Sequence, residues 1–254
     1  MAQTLGEEVT ALGDKMKELF ALLDPSMRIS NLLEERDSII QPRDIDGKFH
    51  PSSFGGCSRK LSYAWLKEAP SHRIGNSLRR TFAHGHAIHD MLQGWMGEAY
   101  NGDIEGYTCT FEPEVSITGT DLAKAYNIAG SADGLIVLTR ENDESIRVIY
   151  EAKSASVSSW SGVGSPMPKH IEQANVYAAC LGASAVLFDY YNKNTDKHKY
   201  FLVEFDPLLW ESTASMLSEV RSKIELGELM PREYSSFECR SCGYYSICQP
   251  ELNR

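Results

Sequence analysis

The chain has 254 residues, of which 42% are apolar and 24% charged, with a formal net charge of −10; this is ordinary globular composition, enough for one large domain with a small attachment. No stretch approaches the roughly 18 uncharged apolar residues of a membrane helix, and Met1-Ala2-Gln3-Thr4 lacks the basic-then-apolar order of a secretory signal. These features argue against membrane and secreted classes and for a soluble, intracellular protein, where six cysteines point to metal or catalysis rather than disulfides.

Helical spacing of Leu5, Val9, Leu12, Met16, Leu19, Phe20 and Leu23 predicts a helix over residues 3–23, ended by Asp24-Pro25, and Ile29 to Glu35 predicts a short second one. Residues 41–51, with Pro42, Gly47 and Pro51, read as a loop, so residues 1–50 form an N-terminal helical extension and 51–254 the main domain. Ser52 or Ser53 is the expected N-cap of a helix through Lys67, and a longer helix is expected from about Leu78 to Tyr100. Residues 48–90 hold Lys48, Arg59, Lys60, Lys67, Arg73, Arg79 and Arg80 against only Glu68 and Asp90. A solvated face and a phosphate-tracking patch explain that cluster equally well.

After Gly106 the pattern changes. Tyr107 to Ile117, Ile128 to Thr139 and Ile146 to Ser154 are rich in β-branched and aromatic residues and predict successive strands. Pro168 to Leu181 returns to helical spacing, Val186 to Asn192 and Lys199 to Phe205 flank a turn at Asn194-Thr195-Asp196, and Asp206-Pro207 opens a last helix to about Leu226. Strands mixed with helices in this order predict an α/β core, a sheet flanked by helices.

Two carboxylates stand out in the strands. Glu151 and Lys153, two apart, share one strand face while Tyr150 and Ala152 take the other. Glu151-Ala152-Lys153 alone is a common tripeptide, and a surface ion pair is its plainer reading. Asp133 sits in Gly130-Ser131-Ala132-Asp133-Gly134 with apolar runs on both sides. Asp-Gly is a hairpin signal, but the apolar pattern runs straight through, and an aspartate inside such a strand is unfavourable without a role. Carboxylates on neighbouring strands make an oxygen site for a hard divalent cation, with Lys153 placed where phosphoryl charge would develop. On the long helix Gly85, His86 and His89 share a face, where the glycine would allow close packing; Gln173 and Tyr177, four apart, share a face of theirs.

Taken in order, Gly85-x-x-x-His89, Gly130-x-x-Asp133-Gly134, Glu151-x-Lys153 and Gln173-x-x-x-Tyr177 resemble the RecB-like branch of the PD-(D/E)XK nucleases over residues 85–177. The resemblance implies a restriction-endonuclease-like core with a central mixed sheet. It implies that His89, Asp133, Glu151 and the Ala152 carbonyl bind Mg²⁺ or Mn²⁺, that Lys153 is catalytic, and that Gln173 and Tyr177 position Lys153 or the DNA backbone. The implied activity is a DNA exonuclease on single-stranded or free-ended DNA, in a cytoplasmic protein of prokaryotic or phage origin serving, with possible protein partners, recombination, replication or CRISPR adaptation. A metal-stapled DNA-binding or assembly module and a structure-specific endonuclease are the alternatives. Trp65, Trp160, Tyr190 and Tyr191 are candidates for base stacking, with core packing the plainer reading of each.

The tail carries Cys239, Cys242 and Cys248, a metal clip short of one ligand. Cys109 and Cys180 sit in apolar-patterned elements and read as small buried hydrophobes, whereas Cys57 follows Gly55-Gly56, which permit close backbone approach. Spacing alone does not separate tetrahedral Zn²⁺ from an iron–sulfur cluster. One early cysteine and three at the end are similar to the pattern of the iron–sulfur RecB-like nucleases, which implies a structural 4Fe-4S cluster on Cys57, Cys239, Cys242 and Cys248.

Overall fold

The computed structural model describes residues 45–70, 76–140, 145–233, 239–240 and 242–248, with Lys17, Ile29, Asn31, Leu32 and Glu35 as isolated helical positions. The helices expected over 3–23 and 29–35 otherwise lie outside the described residues. The chain divides into two compact units, Met1–Ile40 with Ile74–Arg80 and Gln41–Arg73 with Thr81–Arg254; the sheet and its helices belong to the second, apart from the first turn of the longest helix. Among the described residues no helix is long and apolar enough to cross a membrane.

Pro51–Ser53 forms a single 3-10 turn, and helix α1 begins only at Ser58, running to Trp65 with Cys57 at its N-cap. The expected start at Ser52 or Ser53 is therefore too early: Gly55, at φ 69°, breaks the chain between the turn and the helix. Helix α2 spans Asn76–Tyr100. Strands β1 (Gly102–Ile104) and β2 (Tyr107–Ser116) follow. Helix α3 (Asp121–Tyr126) is capped by the Thr120 hydroxyl and ended by Asn127 at a left-handed φ of 55°. Strands β3 (Ser131–Thr139) and β4 (Ile146–Ala155) precede α4 (Val157–Trp160) and α5 (Pro168–Leu181). Strands β5 (Ala185–Asn192) and β6 (Lys197–Glu204) lead to α6 (Pro207–Glu225) and α7 (Tyr245–Cys248). Pro207 stands in the first turn of α6 and the Asp206 carboxylate accepts from Leu208 and Leu209 N–H, the capping expected of that dipeptide.

The six strands lie in chain order, β1-β2-β3-β4-β5-β6. All neighbours are antiparallel except β4 and β5, which are parallel and joined across α4 and α5. Both sheet faces are covered. On one, Ile149, Val186 and Phe188 pack with Ala174, Val176 and Tyr177 of α5 and with Leu217 and Val220 of α6. On the other, Ile88, Leu92 and Met96 of α2, at helical spacing, cover Phe111, Ile136, Tyr150 and Tyr191. This is the mixed, restriction-endonuclease-like α/β core expected from the sequence.

The glycines of Gly130-x-x-Asp133-Gly134 have packing reasons. A Cβ on Gly134 would lie 2.3 Å from Cε2 of Phe111 and 3.3 Å from the Glu112 carbonyl, and one on Gly130 would lie 3.3 Å from Pro51. Phe111 is itself held edge-on against Tyr150 at 5.8 Å, so it has little freedom to yield. Gly134→Ala is expected to lose about 1–3 kcal/mol by overpacking, or more, seen as a fall of several degrees in Tm. An unchanged melting curve would show that the ring moves at no cost. Gly85, expected to permit close helix packing, has open space where its Cβ would stand.

Candidate active site

Strands β3 and β4 pair from Leu138↔Ile146 to Gly134↔Tyr150, and there the ladder stops although both strands continue. Beside the opening, Glu114 of β2 takes a left-handed φ of 52°, and register resumes at Val115↔Ala132. The two strands therefore part at Asp133 and Glu151. The Asp133 side chain takes the place of the lost backbone bond, with Oδ2 accepting from Ala152 N–H at 2.8 Å. An aspartate inside an apolar strand is accounted for: it sits where the sheet opens.

The opening gathers the residues of the sequence pattern. His89 Nδ1 of α2 lies 3.2 Å from Asp133 Oδ1. Lys153 Nζ donates to Glu151 Oε1 at 2.5 Å and, at 3.4 Å, to Oε1 of Gln173, whose Nε2 donates to the Tyr177 hydroxyl at 3.2 Å. Helix α5 thus presents Gln173 to the lysine and seats Tyr177 in the core beneath it. Tyr150 and Ala152 face the other side of the sheet, as strand alternation requires.

The electrostatics of the opening are set by burial and by two neighbouring carboxylates. Glu151 is 1% exposed, and its Oε2 has no hydrogen-bond partner. Burial, then the charge of Asp133, holds its carboxyl above the usual carboxylate range, partly opposed by Lys153. Burial works against the charge on Lys153, but Glu151 and Asp133 overcome it and raise the ammonium pKa. The hydrogen bond to Asp133 raises His89 against the opposing effect of burial. A buried carboxylate oxygen without a partner, next to a second carboxylate, is costly unless a cation completes it. Among the described residues no three His, Cys, Asp or Glu side chains converge at the spacing of a metal sphere. The donors fit a hard cation in kind, with Asp133 and Glu151 oxygens and a His89 nitrogen side by side.

Two neighbours, Gln93 and His170, escaped the sequence reading, and Tyr190 takes a role other than the one expected. Gln93, 7% exposed, donates through Nε2 to the Asp133 carbonyl and to Glu114 Oε1, both at 2.9 Å, and fixes the distorted strand from α2. It lies four residues after His89, a helical spacing that points to a shared face. The Tyr190 hydroxyl accepts from Met167 N–H at 3.0 Å and lies 2.7 Å from His170 Nδ1. Burial, then Lys153 and Lys169, lowers His170 to about 4. Its ring is thereby held toward the neutral form. His170 stands one turn before Gln173, three residues away, a relation the motif spacing did not flag.

The four candidate base-stacking aromatics are engaged internally, as core packing requires. Tyr190 and Tyr191 are buried, Trp65 packs on Phe49 at 5.2 Å, and Lys199 covers the Trp160 ring at 4.7 Å. Of the basic residues, Arg59 is committed to the Met230 carbonyl at 3.3 Å and the Tyr63 hydroxyl at 3.4 Å, and Arg73 lies outside the described residues.

The cysteine sites face one cavity, although among the described residues they do not converge as a metal-binding group. Cys57, Cys239, Cys242 and Cys248 line one cavity of about 230 Å³, together with Arg59, Lys60 and Lys169. Gly55 packs against α5 at the edge of this cavity, where its Cβ would lie 3.0 Å from Cα of Lys169. The two distant segments are docked on each other: Tyr63 stacks on Tyr244 at 5.2 Å, Ser58 Oγ donates to Glu233 at 3.1 Å, and Met230 N–H donates to Ser62 Oγ at 3.1 Å. Cys109 is buried in the sheet, as expected, and Cys180 is partly buried in α5.

No protein-family model and no curated protein matches the chain. Among solved structures it is similar to SSO0001, with 20% identity, a TM-score of 0.48, and coverage of 89% of this chain and 95% of that one. It is also similar to the alkaline exonuclease LHK-Exo of Laribacter hongkongensis, with 18% identity, a TM-score of 0.45, and coverage of 76% and 93%. The complex of LHK-Exo with dAMP gives 20%, 0.46, 71% and 89%.

Proposed function

We propose that the chain is a divalent-cation-dependent DNA nuclease of the PD-(D/E)XK type, acting as an exonuclease on single-stranded or free-ended DNA. The observation that carries this reading is the partnerless, buried Oε2 of Glu151 at the opening of the sheet, between Asp133 and Lys153. Asp133, Glu151, His89 and the Ala152 carbonyl would hold Mg²⁺ or Mn²⁺. That cation supplies Lewis acidity toward a phosphodiester oxygen and lowers the pKa of bound water. Lys153 keeps its proton beside two carboxylates and offers positive charge to the phosphoryl oxygens as their charge grows. Gln173, between Lys153 and Tyr177, sets the direction of that ammonium. The Cys57, Cys239, Cys242 and Cys248 cavity is proposed to hold a 4Fe-4S cluster, with Zn²⁺ as the alternative occupant.

End-labelled single- and double-stranded DNA tests the reading. Progressive shortening that needs Mg²⁺ or Mn²⁺ is expected, while intact label at every cation concentration overturns it. Circular single strands should survive; their cleavage would replace the exonuclease with an endonuclease. Imidazole suits transition metals better than Mg²⁺, so Mn²⁺ is expected to support cleavage at least as well as Mg²⁺, and His89→Ala to weaken the Mn²⁺ response most. An identical Mn²⁺ titration for wild type and His89→Ala would remove His89 from the ligand set.

A further inference from the structure

The buried carboxylate of Asp189 serves nothing at the opening of the sheet. It is 2% exposed and lies on β5 opposite Ala152 in register, so its side chain shares the face of Ala152 and not that of Glu151 and Lys153. It accepts from the Tyr150 hydroxyl at 2.9 Å and pairs with Nδ1 of His198 on β6 at 2.8 Å. Tyr150 is completely buried, whereas His198 reaches the surface. A charged group in a central strand costs stability unless its partners are fixed, and an apolar residue would pack there without that cost. The effect of the pair is to hold an imidazole ring in one orientation at the surface.

That ring is the middle of an exposed aromatic ledge. His198 lies 5.3 Å from Tyr200 at an interplanar angle of 14°, and 6.4 Å from Trp95 at 48°. Tyr200 is 58% and Trp95 50% exposed, in a chain that buries Tyr150, Tyr190 and Tyr191. Trp95 comes from α2, six residues after His89, which is about 9 Å along the helix axis. Trp95 shares α2 with His89, and Tyr200 pairs in register with Asp189, which pairs with Ala152, so the ledge lies on the Ala152 face of the sheet.

We infer that Trp95, His198 and Tyr200 form a stacking site for the bases of single-stranded DNA. The inference rests on the nuclease reading for its ligand. The exposed rings of Trp95 and Tyr200 can stack on any base, because every base presents a π-face, and need no sequence-specific hydrogen bonds, while His198, packed against Tyr191 at 5.1 Å and Tyr200 at 5.3 Å, braces them. Asp189 and Tyr150 make the platform rigid, so little freedom is lost when a base settles on it. Such a site would hold a strand by its bases, apart from the carboxylates that would hold its phosphodiester.

The test uses the full chain with fluorescein-labelled oligothymidylate, without divalent cation, and Trp95→Ala, Tyr200→Ala, the double variant and Trp95→Phe. Both side chains are half exposed or more, and Tm is expected to stay at the wild-type value. Each alanine is expected to weaken binding about tenfold, Trp95→Phe much less, and the slope of log affinity against log salt to stay the same because no phosphate contact is lost. Oligothymidylate should quench tryptophan emission in the wild type and do so less in Trp95→Ala. Cleavage of a thymidine dinucleotide, too short to span both places, should be unchanged in the double variant. Wild-type affinity in the double variant overturns the ledge, as does a loss matched by an altered salt slope. If those variants instead bind DNA normally but lose self-association, the face is a protein contact and the inference falls. A wild type that cleaves nothing yet binds oligothymidylate through Trp95 and Tyr200 would sink the nuclease reading and keep the ledge.

Discussion

Lys153→Ala is expected to lower DNA cleavage by at least about 10²-fold, the usual consequence of removing a group that meets developing charge. Its fold should survive. Glu151 would lose its ammonium partner, but a carboxyl already held above its ordinary range by burial and by Asp133 can take up a proton instead of remaining charged. The reverse deletion is harsher. Glu151→Ala strips the salt-bridge partner from Lys153 and also empties a buried volume, so lost activity would be confounded by lost stability. Glu151→Gln and Asp133→Asn keep the shape, and the new amide oxygen at 133 can still accept from Ala152 N–H. Both should fall by a similar factor with near-wild-type circular dichroism. Near-wild-type cleavage by folded Lys153→Ala, measured on end-labelled DNA in Mn²⁺, would end the assignment of that lysine.

Of the candidate residues, Asp133 alone broke a local rule; His89, Glu151, Lys153, Gln173 and Tyr177 stood out only as an ordered set. Asp133 interrupts an apolar strand, and Glu151 and Lys153 place two charges on one face of a strand in the middle of the sheet. Helix α5 was legible to the residue, from a proline at its start to a glycine at its end, since both boundaries are set by backbone chemistry. Elements set by few residues were not. Helix α3 is six residues long and β1 three, too short for any periodicity to show. The opening between β3 and β4 was also invisible, because it involves Glu114 in a neighbouring strand and Gln93 in a helix more than twenty residues upstream of that glutamate. The His198 ledge was missed for a related reason. Tyr190 and Tyr191 were the aromatic candidates, but alternation in a doubly covered central strand buries both, while the edge strand β6 leaves Tyr200 open.

Changing any one of Cys57, Cys239, Cys242 or Cys248 to alanine is expected to abolish the bound metal centre and lower Tm, whereas Cys109→Ala and Cys180→Ala keep it. The four thiols line one cavity although the first and second are separated by more than 180 residues of sequence. Closing so long a loop restricts the unfolded chain strongly, by about 4–5 kcal/mol on the chain-entropy account of cross-links. Part of the closure is already provided by the Tyr63–Tyr244 stack and by the bonds of Ser58, Arg59 and Ser62 to residues 230–233. The cysteine variants should therefore remain folded at low temperature and melt earlier, not fail to fold. Cleavage in them should fall only as far as the fold does, since Asp133 and Glu151 stand on strands apart from the cavity. Anaerobically purified wild type should be brown and carry roughly four irons per chain for a Cys₄ cluster. Colourless protein with about one zinc per chain would refute the cluster and keep the clip. Iron retained in Cys57→Ala would break the pairing of the early and late segments, because Cys57 is the only one of the four that the first segment supplies.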